Sequence, residues 1–139
     1  MAAYVKYQIG TEALQEAANA GSDTWQVILS NTAPTVATDT TAASATELGT
    51  SGGYTSGGVN CTITSAAQTA GVYKLILAAP ASPTWTASGG GFTFRYVILY
   101  NLTRTQCIGY WDYGSSVVMA AGDTFTPVLD ASGGTYTVT

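Results

Sequence analysis

Hydrophobic positions follow two regimes that meet near Gly21. In residues 1–22, Tyr4, Tyr7, Leu14, Ala17 and Ala18 sit at helical spacings among Ala, Gln and Glu, which predicts a short amphipathic helix. Gly10 interrupts it and Gly21 supplies a C-terminal stop. From Thr24 onward, β-branched and aromatic runs alternate with clusters of Gly, Ser, Pro and Asn, the pattern of strands and turns. The runs are TWQVILS at 24–30, VNCTITS at 59–65, VYKLILA at 72–78, FTFRYVILY at 92–100, CIGYWDY at 107–113, TFTPVLD at 124–130 and TYTVT at 135–139. The expectation is an all-β domain over residues 23–139, an antiparallel β-sandwich or jelly-roll-like barrel, preceded by the helical segment.

Two features sharpen that outline. Residues 31–58 show no strong period and many Gly, Ser and Thr. A stretch this long is expected to be a polar arm, draped over a partner or excursing over the surface. The second feature is a hairpin in which FTFRYVILY and CIGYWDY flank the turn sequence NLTRTQ. Setting Asn101 opposite Gln106 leaves residues 102–105 as the loop, a common hairpin length. Leu99 then faces Ile108, Val97 faces Tyr110 and Arg95 faces Asp112, while Phe94, Tyr96, Ile98, Cys107 and Trp111 line the opposite face, the expected core. Asp112 thereby gains a cation, and Gly114, Ser115 and Ser116 are expected to turn the chain.

Composition narrows the function classes. Only 9% of the 139 residues are charged, against about 25% in ordinary domains. A surface so poor in charge is expected to be occupied by neighbouring subunits or partners. With a formal net charge of −4 and only Lys6, Lys74, Arg95 and Arg104 as cations, no basic cluster is available for nucleic acid. No apolar run is long enough to span a membrane. The N-terminus lacks the unbroken apolar stretch of a signal peptide, so synthesis in a cytoplasm without export is expected. In that setting Cys61 and Cys107 are expected to be free thiols, and the Asn60 and Asn101 glycosylation triplets to be coincidental.

Candidate chemistry is sparse. The chain has no histidine, which removes Ser-His-Asp and Cys-His catalysis and the commonest zinc ligand. The eight carboxylates are dispersed; a glycosidase pair could still be assembled from distant strands, with Asp112 and Asp123 or Asp130 as the candidates. SGGYTSGG and ASGGG lack the lysine of a phosphate loop and read as turns. No cofactor or metal is expected. Trp25, Trp85, Tyr110, Trp111 and Tyr113 could form a sugar-stacking platform, although aromatic residues in alternating strands more often pack a core.

The segments WQVILSNTAP, GGYTSGG, YKLILA, WTASGG, FRYVILYN and IGYWDYGSSVVMAAGDTF, in that order, resemble a widespread family of small structural proteins of tailed bacteriophages and prophages. The resemblance runs from Trp25 to the C-terminus, and its most specific part is FRYVILYN followed by IGYWDYGSS. It implies a virion component without enzymatic activity. The function expected is that of a capsid cement or decoration protein, a homotrimer bridging subunits of the major capsid protein. Trp25, Tyr54, Trp85, Tyr110 and Tyr113 are the expected interface residues, and Arg95 with Asp112 the structural ion pair. The alternatives are a tail, neck or fibre-associated structural protein, and a carbohydrate-binding module displayed on the virion.

Overall fold

The structure, a computed structural model, describes residues 2–7, 19–70 and 72–139. Its strands are β1 (Ala3–Lys6), β2 (Trp25–Ser30), β3 (Val59–Asn60), β4 (Thr62–Thr69), β5 (Val72–Ala78), β6 (Trp85–Thr86), β7 (Phe92–Asn101), β8 (Gln106–Met119), β9 (Thr124–Phe125) and β10 (Tyr136–Val138). All pairings are antiparallel. A five-stranded sheet has the order β1-β8-β7-β2-β3, a three-stranded sheet the order β10-β5-β4, and β6 pairs with β9. The class is all-β, as expected.

The expected N-terminal helix is not what residues 3–6 form: they make the edge strand β1, paired with residues 109–112 of β8. The rest of that expected helix, residues 8–18, lies outside the described residues. Tyr4 and Tyr7 are three positions apart, a spacing that shares one face of a helix but opposite faces of a strand. Tyr4 packs against the main core and Tyr7 belongs to a second buried cluster. Tyr4 fits because Gly109 leaves a hollow: a Cβ there would collide with the Tyr4 ring and hydroxyl.

The two larger sheets share one apolar core. β2 and β7 contribute Trp25, Val27, Leu29, Val97 and Leu99, and the smaller sheet contributes Leu75, Leu77 and Tyr136. VNCTITS is divided at Cys61, whose N–H donates to the Trp25 carbonyl at 2.8 Å. The chain thus passes from the large sheet (β3) to the small one (β4).

The large sheet is buried on both faces, which explains the near-continuous apolar run VILY in β7. Its second face carries Ile28, Tyr96, Ile98, Tyr100 and Cys107, covered by Tyr7 and Ala45. The cover comes largely from residues 31–58, which lie on their own chain's sheet. Cys107 N–H donates to the Thr40 carbonyl at 2.6 Å. Ser30 Oγ donates to the carbonyls of Ala45 at 3.0 Å and Thr46 at 2.8 Å. The segment closes back onto β2 at Gly58, where φ is +61° and a Cβ would strike the Val27 carbonyl.

The central hairpin begins in the expected register and then leaves it. Asn101 pairs with Gln106 and Tyr100 with Cys107, but an irregularity then places Leu99 opposite Gly109, Ile98 opposite Tyr110, Val97 opposite Trp111 and Tyr96 opposite Asp112. Ile108 is the extra residue, and every later residue of β8 changes face relative to β7. Trp111 therefore joins Val97 and Leu99 in the main core instead of the face shared by Tyr96, Ile98 and Cys107. A second irregularity between Phe94 and Tyr96 turns Phe94 into the main core as well. Gly114, Ser115 and Ser116 do not turn the chain: β8 runs through them to Met119, with Gly114 at φ 80°.

Candidate interaction surface

At the second irregularity of the hairpin Arg95 of β7 lies opposite four unpaired residues of β8, 113–116, and its guanidinium reaches across to Asp112. Nε donates to Oδ1 at 2.8 Å and the terminal amine to Oδ2 at 2.9 Å. Asp112 Oδ1 also accepts the Gly114 N–H at 2.7 Å, and the guanidinium carbon lies 5.1 Å from the centroid of the Tyr96 ring. The pair is thus brought together by a bulge and not by direct register. The Arg95 hydrogen bonds, followed by that from Gly114, hold the Asp112 carboxyl below its ordinary pKa. Beside it, Ser115 and Ser116 are exposed and Val118 is 71% exposed.

A second ion pair ties the hairpin tip to the start of β2. Asp23 is buried, and its Oδ2 accepts the Asn101 side-chain amide at 2.9 Å and Arg104 Nε at 3.1 Å. Leu102 N–H donates to the Thr24 carbonyl and Thr24 N–H to Thr103 Oγ1. With Arg95 and Arg104 both engaged, Lys6 and Lys74 are the cations outside these ion pairs.

The residues expected at an interface divide. Trp25, Tyr54 and Trp85 are 0%, 1% and 4% exposed and serve the core, which corrects their assignment to a surface. Tyr54 is instead an internal clasp for residues 31–58: its hydroxyl donates to Glu47 Oε1 at 2.6 Å and accepts the Leu29 N–H at 3.1 Å. Glu47 Oε1 also accepts the Gly57 N–H at 2.6 Å. Burial, then the Glu47 contact, pushes the Tyr54 hydroxyl pKa up. Tyr110 and Tyr113 are half-buried; Tyr110 meets Tyr7 and Tyr96 edge-on, and Tyr113 meets Phe94 and Phe125. Trp111 is 6% exposed, so none of the three tryptophans offers an open ring face to a sugar.

The carboxylates considered as an acid–base pair have structural work. Asp130 Oδ1 accepts N–H groups from Gly133 at 2.7 Å and Ser132 at 2.9 Å, which lower its pKa. Asp123 Oδ2 accepts the Ala120 N–H at 3.0 Å. Asp112 and Asp130 are therefore unsuited to hold a proton at neutral pH as a general acid must. Burial pushes the thiol pKa of both Cys61 and Cys107 up to about 12, the opposite of nucleophile activation. Among the described residues, no group of three or more Cys, Asp or Glu is placed to hold a metal ion. A half-open cleft of about 370 Å³ lies between β1 and the C-terminal turn, lined by Ala2, Ala3, Tyr4, Trp111, Asp130, Gly134 and Thr135.

The outer side of residues 31–58 is exposed at Thr38, Thr41, Ala43, Ser44 and Thr46, and the strand edges offer backbone groups beside it. The sequence leads one to expect edge strands at a contact surface but not which strands they are, because an edge is a property of sheet order, which no local pattern encodes. Comparisons with family models, with curated proteins and with solved structures found no match in any of the three.

Proposed function

We propose that the chain is a non-enzymatic structural component of a tailed-bacteriophage virion, acting as a capsid cement or decoration protein that bridges subunits of the major capsid protein. The observation that carries the reading is the ordered resemblance running from WQVILSNTAP to IGYWDYGSSVVMAAGDTF. A surface with few charges supports it, since wide contacts between many copies then desolvate few ions. The tight internal clasp of residues 31–58 also suits a part that must withstand mechanical load. In this account the segment contacts the shell with its outer, Thr- and Ser-bearing side while its inner side stays on its own sheet. Symmetric repetition lets individually weak contacts sum to a stable shell.

The test is to delete the coding sequence and compare particles. Particles without the chain should assemble but lose infectivity at lower temperature and eject DNA more readily under osmotic shock, with resistance restored by adding the purified chain. Unchanged heat and shock resistance would remove the cement reading.

A further inference from the structure

Natural sheets protect their edges with short strands, charges, prolines or bulges, because an edge left open is a template for another strand. Of the edges in the two larger sheets, β3 has two residues and β10 three, and β1 carries Lys6. β4 differs: it is eight residues long, TITSAAQT, with no charge and no proline. Its single irregularity lies near its start, between Ile63 and Ser65, and leaves residues 65–69 in regular pairing with β5. Ala66 and Ala67 are exposed, and among the described residues no strand pairs with the outer side of β4.

We propose that β4 is a self-association edge, pairing antiparallel with β4 of a second copy about a twofold axis near Ala67 and joining the two three-stranded sheets into one of six strands. A strand edge recognises another strand through its backbone N–H and C=O groups, and side chains then choose the partner. Ser, Ala, Gln and Thr at 65–69 offer little for recognising a foreign sequence but are compatible with themselves. Centring on Ala67 sets Ser65 opposite Thr69 and Ala66 opposite Gln68, with no like charges facing. The nearest charge is Lys74, opposite Ala67 on β5. Three strand spacings of ~4.8 Å would hold the two Lys74 residues ~14 Å apart, beyond the ~8–10 Å screening length in ordinary salt.

The inference stands on the chain alone, so its failure leaves the virion reading intact. It predicts twofold association, in contrast to the threefold association expected from the sequence. The experiment is sedimentation equilibrium of the full chain up to ~1 mM, the upper end of weak association, alongside Ala67→Lys and Ala67→Cys. The wild type should form dimers. Ala67→Lys, which sets like charges opposite each other, should raise the dimer dissociation constant at least about tenfold with unchanged circular dichroism. Ala67→Cys should oxidise to a disulfide-linked dimer, and it decides the matter alone if Ala67→Lys does not fold. A wild type that stays monomeric or forms trimers, association unaffected by a folded Ala67→Lys, or no cross-linked Ala67→Cys dimer would overturn the proposal.

Discussion

Replacing Gly109 by Ala tests how β1 is held. Gly109 does not adopt positive φ, so its backbone accepts Ala without strain. In a strand that change alone would be favourable by about 0.5–1 kcal/mol. The added methyl, however, would occupy the space filled by the Tyr4 ring, which rests against Trp111 with centroids 4.8 Å apart. Overpacking costs about 1–3 kcal/mol, and a displaced aromatic pair about 0.5–1.5 kcal/mol more. The net expectation is a loss of about 2 kcal/mol, bounded above by the contribution of β1, because an edge strand can peel away without unfolding the sheet. Urea denaturation gives the total, and hydrogen exchange of the β1 amides reports the peeling. The decisive comparison is a double-mutant cycle with Tyr4→Ala. With the ring gone, Gly109→Ala should change sign and become neutral or slightly stabilising. An equal cost in both backgrounds, or stabilisation by Gly109→Ala in the wild type, would refute the seating of Tyr4 on Gly109.

Other outcomes follow from the same geometry. Asp23→Ala leaves the buried Asn101 amide without its acceptor, while the partly exposed Arg104 can turn to water, and should cost about 1–3 kcal/mol in chemical denaturation. Thr46 is a β-branched residue held at φ 54°, so Thr46→Gly should stabilise by about 1 kcal/mol through relief of strain, read as a higher urea midpoint. Asp112 and Asp130 have depressed pKa values in the folded state. Their contribution is present above the unfolded-state value of about 4 and is lost as pH falls through the depressed values. Asp112→Asn combined with Asp130→Asn should therefore flatten the acid limb of stability against pH below about 4. The effect is small because both groups are solvent-accessible.

Where a single local pattern sufficed, the sequence anticipated the structure. The runs at 24–30, 72–78, 92–100 and 107–113 all contain strands, and the Asn101–Gln106 pairing at the turn follows from loop length. What failed was whatever depends on an inserted residue or a distant cover. The bulge at Ile108 moved Trp111 from one face to the other; Gly109 beside it is a local sign of a bulge or a close approach, but it does not say which residue is inserted or where the register shifts. Tyr4 and Tyr7 fit a helical period, yet along an extended chain the same odd spacing sends Tyr4 to the main core and Tyr7 to the cluster on the other face of the sheet. Aromatic content says nothing about which face is covered, so Trp25, Tyr54 and Trp85 suit an interface by sequence and serve the core in the fold. Residues 31–58 have no period since they follow the contour of the large sheet and form no long strand or helix of their own. The Arg95–Asp112 pair occurs even though the register that suggested it does not hold, because the bulge and the length of the guanidinium side chain restore the reach.

The central claim is that this chain is a shell component of a tailed-phage particle. It is tested most directly by quantitative mass spectrometry of purified virions that encode it, combined with cryo-electron microscopy of their heads. The account predicts hundreds of copies per particle, in keeping with shell symmetry, and density of this β-fold on the outer capsid surface at junctions between major capsid subunits. A complement of about three to twelve copies would assign it to a symmetric tail or neck position instead, and its absence from purified particles would contradict the account altogether.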